Sequence, residues 1–281
     1  MREIHVSEIA DAVEQLCYKA AFDLDRNVEN CLKKMRGEEE SETGKYIFNQ
    51  ILDNIEYARK EKIAICQDTG QAILFIEIGQ DVHITGGVLS DAVNEGVRTG
   101  YANGFLRKSI CDDPVFLRKN TGDNTPSVIH TEIVPGDKLK IILLPKGGGS
   151  ENMSRLKMLV PSDGLSGVKD FILQSVADAG GNPCPPVVVG VGIGGSMEKA
   201  ALLAKKALIR KIGEPNQNPD YARLEKKLLE EINATGIGPQ GLGGRITALS
   251  VQIEYFPTHI TQLPVAVNMS CHALRHAEAV L

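Results

Sequence analysis

The run Val187–Val191 is apolar at every position. It leaves the turn Asn182-Pro183-Cys184-Pro185-Pro186 and passes through Gly190-Val191-Gly192-Ile193-Gly194-Gly195 into a helical pattern that begins at Ser196. A short run without a polar face predicts a strand, here joined by a tight glycine turn to a helix. Around this strand–helix pair the remaining elements are mixed. Apolar residues at helical spacing from Ile9 to Met35 predict one long or once-broken amphipathic helix, and Tyr46–Lys60 predicts a second. Ile63–Cys66 and Ala72–Ile78 read as short strands separated by the polar turn Gln67-Asp68-Thr69-Gly70. Ser90–Gly104 reads as a helix weakened by Gly96 and Gly100, and His130–Val134 with Lys138–Leu144 as a hairpin around Pro135-Gly136-Asp137. Ser166–Gly180, Ser196–Ile212 and Tyr221–Ala234 follow as helices, Ala248–Glu254 and Val265–Met269 as strands, and a short polar helix after Cys271. This order lacks a steady strand–helix alternation. The predicted class is therefore α+β, an irregular mixed α/β arrangement with a helical N-terminal part (1–60) followed by a mixed sheet flanked by helices. No linker tract, repeat or low-complexity run divides the chain, which predicts a single catalytic-type domain over 1–281.

Charge and composition exclude several functions. The net charge of -5 comes from 31 basic and 36 acidic residues that are interspersed, leaving no basic patch for nucleic acid or an anionic membrane. Aromatics are 5% of the chain, with no Trp, so stacking platforms for single strands are few. The N-terminus has no apolar signal core, and no stretch approaches the roughly 18 apolar residues of a membrane span. The expected location is the cytoplasm, where the six cysteines read as buried thiols, ligands or nucleophiles rather than disulfides.

Three groups of residues are suited to chemistry. Gly190–Gly195 satisfies GxGxxG after a strand, the pattern of a dinucleotide site. The helix that follows runs through Glu214-Pro215-Asn216 into another helix, so the strand–helix–strand unit is expected to stay incomplete, and the pattern reads as a tight turn. Lys146-Gly147-Gly148-Gly149-Ser150 stands at a strand end, where successive N–H groups could cradle an anion. Its lysine precedes the glycines, so a carboxylate-bearing substrate suits it better than a nucleoside triphosphate. Cys66, Cys184 and Cys271 each lie in a turn at a strand end, too far apart in sequence for a zinc pattern. Three thiolates suit a cuboidal iron–sulfur cluster with one iron left open. An open iron acts as a Lewis acid toward carboxylate and hydroxyl oxygens, which points to dehydration of a hydroxy acid. Cys17 and Cys31 fall on or beside the apolar stripe and read as buried.

Taken together, ICQDTGQA (Ile65–Ala72), GDNTPS (Gly122–Ser127), KGGGSEN, NPCPPVVVGVGIGG, GLGG and NMSCHALRHA resemble the alpha subunit of the two-subunit class I fumarases, iron–sulfur hydro-lyases with L-tartrate dehydratase alpha subunits as their sister group. The resemblance spans nearly the whole chain. It implies a [4Fe-4S] cluster held by Cys66, Cys184 and Cys271, with substrate contacts from Gln67, Arg107 and Gly148. It also implies proton transfer by Asp68 and His259, the histidine standing twelve residues before the last cysteine. The family's second domain is expected on a separate chain, a fumarate hydratase beta subunit, in a dimer of alpha-beta pairs acting on a small dicarboxylate. The implied reaction is the reversible hydration of fumarate to L-malate, with L-tartrate dehydration as the alternative. From other classes, a dinucleotide-binding oxidoreductase domain or a non-catalytic assembly subunit remains open.

Overall fold

The computed structural model describes residues 2–281. In chain order the strands are β1 (Arg2–His5), β2 (Gln71–Gly79), β3 (Val82–Thr85), β4 (Val128–Val134), β5 (Leu139–Lys146), β6 (Arg155–Leu159), β7 (Val187–Gly194), β8 (Ala248–Phe256), β9 (Leu263–Ser270) and β10 (Ala277–Val280). The helices are α1 (Val6–Phe22), α2 (Arg26–Glu38), α3 (Glu42–Glu61), α4 (Leu89–Asn103), α5 (Gly148–Glu151), α6 (Gly164–Ala179), α7 (Met197–Ala207) and α8 (Pro219–Asn233). The fold is α+β. Among the described residues no helix is long and apolar enough to cross a membrane. Two compact units divide the chain: Met1–Asp25, Ile55–Gly148 and Arg275–Leu281 form the first, Arg26–Asn54 and Gly149–Leu274 the second.

The first unit is built on the sheet β10-β5-β2-β4, with β1 and β3 paired in parallel beside it as a separate ribbon. The helical stripe that begins at Ile9 breaks between Phe22 and Arg26, so the first predicted helix is two helices. On α4, Gly96 and Gly100 lie one turn apart and face α1. A Cβ on Gly96 would stand 2.5 Å from the Ala10 carbonyl oxygen, and one on Gly100 would stand 2.8 Å from Cys17 Cβ. The glycines that weaken α4 as an isolated helix therefore admit α1 to close packing. Cys17 sits in that contact, and burial pushes its thiol up to about 12.

β4 and β5 form close to their predicted limits, but they are not a hairpin. β2 lies between them, parallel to β4 and antiparallel to β5. The reason is accounting for main-chain groups: β2 is buried from Ala72 to Ile76, and a strand so placed needs partners on both edges. The turn around Gly136 is fastened to the end of β2 instead, with the N–H groups of Gly79, Gln80 and Asp81 donating to the carbonyls of Lys138, Val134 and Gly136. Two further expectations are corrected. Ile63–Cys66 is not a strand; Ile65 is buried and its N–H donates to the Ala21 carbonyl. The segment after Cys271 ends in β10 rather than a helix, because the outer edge of β5 accepts it, with Leu281 and Leu139 exchanging both main-chain bonds.

The second unit contains the sheet β6-β9-β7-β8. All eight residues of β7 are buried, between β8 in parallel and β9 antiparallel. The connection from β7 through α7 and α8 to β8 thus closes a parallel crossover, which the sequence reading expected to stay incomplete. Cβ atoms on Gly190 and Gly192 would stand 2.2 Å and 2.0 Å from the carbonyl oxygens of Ala204 and Ala200. These two glycines seat α7 on the strand, and their presence is explained by packing.

Glu39, 2% exposed, ties the start of α3 to the segment before β8. Its carboxylate accepts from the N–H groups of Glu40, Ser41, Arg245 and Ile246 at 2.8–3.1 Å. Burial pushes its pKa up, but the donors of Arg245, Ile246, Ser41 and Glu40 outweigh burial and hold it below the usual glutamate range. Glu39→Gln turns an amide N–H against these donors and is expected to destabilise the chain by about 2–3 kcal/mol at pH 7 in urea melts. A carboxyl whose pKa is depressed on folding contributes fully above its unfolded value, about 4.3, and loses that contribution as pH falls through the folded value. The gap between wild type and variant should therefore close in acid. A gap independent of pH would exclude the charge as its origin.

Candidate functional site

In the first unit, the loop that leaves buried Ile65 carries half-buried Cys66, exposed Gln67 and half-buried Asp68 into β2. The Cys66 Sγ lies 3.6 Å from Gln67 Oε1. Asp68 closes its own turn: Oδ1 accepts from the Gly70 N–H at 3.0 Å, as short acidic side chains do. Gly70 has φ +81, and a Cβ there would stand 2.8 Å from the Lys146 nitrogen, so only glycine fits where β2 meets β5. The second carboxylate oxygen, Oδ2, accepts from the Gly148 N–H at 2.8 Å. The glycine cradle after β5 thus faces a carboxylate, and that carboxylate is the chain's own Asp68.

Each carbonyl of Asp68-Thr69-Gly70 is also held by a buried side chain from a distant segment. Arg275 Nη2 donates to the Asp68 oxygen at 2.7 Å. The Tyr101 hydroxyl lies 2.9 Å and 3.0 Å from the Thr69 and Gly70 oxygens. Asn124, fully buried, donates from Nδ2 to the Gly70 oxygen at 3.2 Å and accepts from the Ser109 N–H at 2.8 Å. Burial raises the Tyr101 pKa far above its ordinary value, partly opposed by the positive charge of Arg275. The Thr69 hydroxyl donates to the Arg107 carbonyl at 2.9 Å. This fixes the Arg107 backbone beside the turn while its side chain is exposed. Lys146, 3% exposed, points Nζ to the Gly147 oxygen at 3.4 Å.

In the second unit, Cys184 is exposed and holds φ +56, at the end of a turn closed by its N–H to the Gly181 oxygen. A left-handed backbone is unusual for a residue with a Cβ. Pro185 is anchored by Gln240, whose main-chain and side-chain N–H groups both reach its carbonyl at 2.8 Å. His272, the neighbour of half-buried Cys271, donates its main-chain N–H to the Cys184 oxygen at 3.4 Å. Its Nδ1 lies 3.1 Å from that oxygen and 3.2 Å from Gln240 Nε2. Two cysteine turns from opposite parts of the sequence are thereby brought to one end of β7.

His259 is elsewhere in that unit. It occupies an exposed turn between β8 and β9, its Nδ1 2.9 Å from the Thr261 hydroxyl, and the adjoining Thr258 hydroxyl donates to the Gly195 carbonyl. That is the far end of β7 from Cys184, along a strand of eight residues, about 26 Å. The structure therefore does not bring His259 to Cys184 and Cys271. It places His272 there instead.

Residue type and spacing do not single out Arg275, Tyr101, Asn124, Gln240 or His272, and they do not reveal the burial of Lys146. Arg275 and His272 lie in NMSCHALRHA, Asn124 in GDNTPS and Lys146 in KGGGSEN, and membership of those motifs is the sequence signal for them. Cys31 behaves as expected of a structural thiol: burial pushes it up to about 11, ahead of smaller effects of Lys34 and Glu38.

Among the described residues no group of three His, Cys, Asp or Glu gathers as a single metal ion requires. An iron–sulfur cluster makes a different demand, because its thiolates bind different irons and need not converge on one point. Cys184 and Cys271, one exposed and one half-buried at a common strand end, match that donor chemistry, as does half-buried Cys66 in the first unit.

Residues 10–280 match the family model described as fumarate hydratase (Fumerase). The chain is 43% identical over 274 residues to the putative L(+)-tartrate dehydratase subunit alpha of Methanocaldococcus jannaschii, covering 96% of both chains. It is 35% identical over 272 residues to the L(+)-tartrate dehydratase subunit alpha of Escherichia coli K12, covering 96% of this chain and 89% of that one.

Proposed function

This chain belongs to the fumarate hydratase (Fumerase) family, and on that premise we propose that it is the alpha subunit of an iron–sulfur hydro-lyase that reversibly hydrates fumarate to L-malate. The observation that carries the reading is the Asp68 carboxylate, two residues after Cys66, held at both oxygens by main-chain N–H groups. Cys66, Cys184 and Cys271 would hold a [4Fe-4S] cluster, which when bound supplies an open iron as Lewis acid toward the substrate's carboxylate and hydroxyl oxygens.

The chain's own residues supply the rest. In dehydration, Asp68 takes the proton from the carbon beside a carboxylate, and in hydration it returns that proton. The N–H groups of Gly70 and Gly148 fix the direction in which the carboxylate presents its lone pairs, so little reorganisation accompanies transfer. Arg107 and Gln67, both exposed beside the turn, bind and orient the diacid, Arg107 by a two-pronged contact with a carboxylate. Gly148 contributes to the same binding through its N–H contact with Asp68, which sets that carboxylate beside the diacid. His259, suggested by the resemblance as a second proton carrier, is assigned no step because it lies at the other end of β7.

The relatives' names specify a subunit alpha, which supports a separate beta subunit as partner; the assembly proposed with it is a dimer of alpha-beta pairs. Those names also favour a second substrate, L(+)-tartrate, processed by the same chemistry. The test is an anaerobic assay of the chain co-expressed with its beta partner, offered fumarate, L-malate and L(+)-tartrate. Hydration of fumarate is expected. Turnover of tartrate alone would transfer the reading to tartrate dehydratase, and turnover of none would overturn it.

A further inference from the structure

Arg275 is 3% exposed, and among the described residues its guanidinium makes one hydrogen bond, to a main-chain oxygen rather than to a carboxylate. Nη2 donates to the Asp68 main-chain oxygen at 2.7 Å, while Nε and Nη1 are buried without an acceptor. A buried guanidinium with two unanswered donors is unfavourable, and an apolar side chain of similar volume would fill the space better. Packing alone does not account for an arginine there. The one bond it makes is to the residue whose carboxylate the proposed reaction uses.

We infer that Arg275 is a positioning residue that locks the Asp68 peptide. The Gly70 and Gly148 N–H groups hold the carboxylate oxygens, but both bonds act at the tip of the side chain. If the Asp68–Thr69 peptide rotates, the Cα–Cβ bond swings and both tip bonds are lost together. The Tyr101 hydroxyl and Asn124 amide restrain the next two carbonyls, which leaves Arg275 as the restraint at Asp68 itself. A guanidinium suits this task because its delocalised, permanent charge bonds strongly to a carbonyl inside a low-dielectric interior.

The inference rests on the proposed role of Asp68, and its test separates the two. Arg275→Met and Arg275→Lys are made in the full chain with its beta partner. Each is examined by steady-state kinetics, iron content, thermal melting and hydrogen–deuterium exchange. For Arg275→Met, kcat should fall on the order of 10²-fold, as for a misplacement of about 1 Å, with KM within about threefold and iron content unchanged. The melting temperature should stay level or rise, since the unanswered donors are removed. Amides of residues 66–70 should exchange faster while those of β5 do not. Arg275→Lys, which can still donate to the carbonyl, should recover part of kcat and of the protection.

Unchanged exchange at 66–70 in Arg275→Met would overturn the inference, as would full kcat. So would a fall in melting temperature matched by equal losses in Arg275→Lys, because that pattern marks a purely structural role. Should Arg275→Met fail to fold, Arg275→Lys decides: protection at 66–70 and kcat kept or lost together supports the lock, and loss of one without the other contradicts it. If the wild-type complex shows no hydro-lyase activity, the proposed function fails, and exchange at 66–70 still decides whether Arg275 holds the turn.

Discussion

Replacing Asp68 by asparagine is expected to lower turnover of the two-subunit enzyme by about 10²–10⁴-fold, the range for a removed proton-transfer group, while iron content and circular dichroism stay as in the wild type. The substitution deletes one of two acceptors. Asp68 takes one N–H on each oxygen, from Gly70 and Gly148. An amide can answer only one of these donors, and its own NH₂ would oppose the other. Asp68→Glu is the companion variant. It keeps the charge but pushes the carboxylate one methylene out of the cradle, so it should retain part of the activity lost by Asp68→Asn. Anaerobic assay of fumarate hydration reads both. Turnover of Asp68→Asn within tenfold of wild type would remove Asp68 from the reaction.

Cys184→Ser should abolish iron–sulfur loading and activity together while the complex with the beta subunit persists. The reasoning begins with the backbone: Cys184 holds φ +56 at an exposed turn, braced by Gln240 and by His272 beside Cys271. A strained residue displayed to solvent at a strand end signals a functional constraint, and serine preserves the turn while exchanging a soft thiolate for a poor iron ligand. Cys111→Ser supplies the control, since Cys111 lies half-buried in a bridge with Asn120 and should retain full iron. Iron and sulfide analysis with electron paramagnetic resonance, before and after brief air exposure, makes the measurement. A wild type with one labile iron should pass from a four-iron cluster without a resonance signal to a three-iron cluster with one. Full iron content in Cys184→Ser would exclude it as a ligand.

The elements carried by strong periodicity were legible without the structure: α1 and α2, α3, α6, α8, β2 and β7 each lie within a few residues of their predicted limits. Pairing was not legible, because it depends on what lies beside a strand in space. β4 and β5 looked like a hairpin through the turn residues between them, and only the need of β2 for two partners explains why they separate. β10 was hidden for a related reason: Ala277–Val280 is only four residues long, follows the polar Arg275-His276, and is strand only against β5. The candidate site divides in the same way. Cys66, Asp68 and the glycines after Lys146 announce themselves by residue type in a turn. Arg275 does not, since a basic residue in a polar tail reads as a solvated one until its burial is seen. His259 shows the converse, a spacing matched to the family pattern, followed by a strand that carries it away from Cys271.

The place of β10 in the first unit has a consequence for biogenesis. Its neighbour β5 leaves the ribosome long before it, and the whole of Gly149–Leu274 is made in between. During that interval the apolar edge of β5 has no partner, and the Asp68 turn lacks the arginine that pins its peptide. Chaperone capture of nascent chains should therefore be most pronounced after β5 emerges and subside once β10 has emerged and paired with it. A ribosome stalled anywhere in the second unit would display an unpaired sheet edge and an Asp68 turn without its Arg275 contact, and the open edge is ready to aggregate.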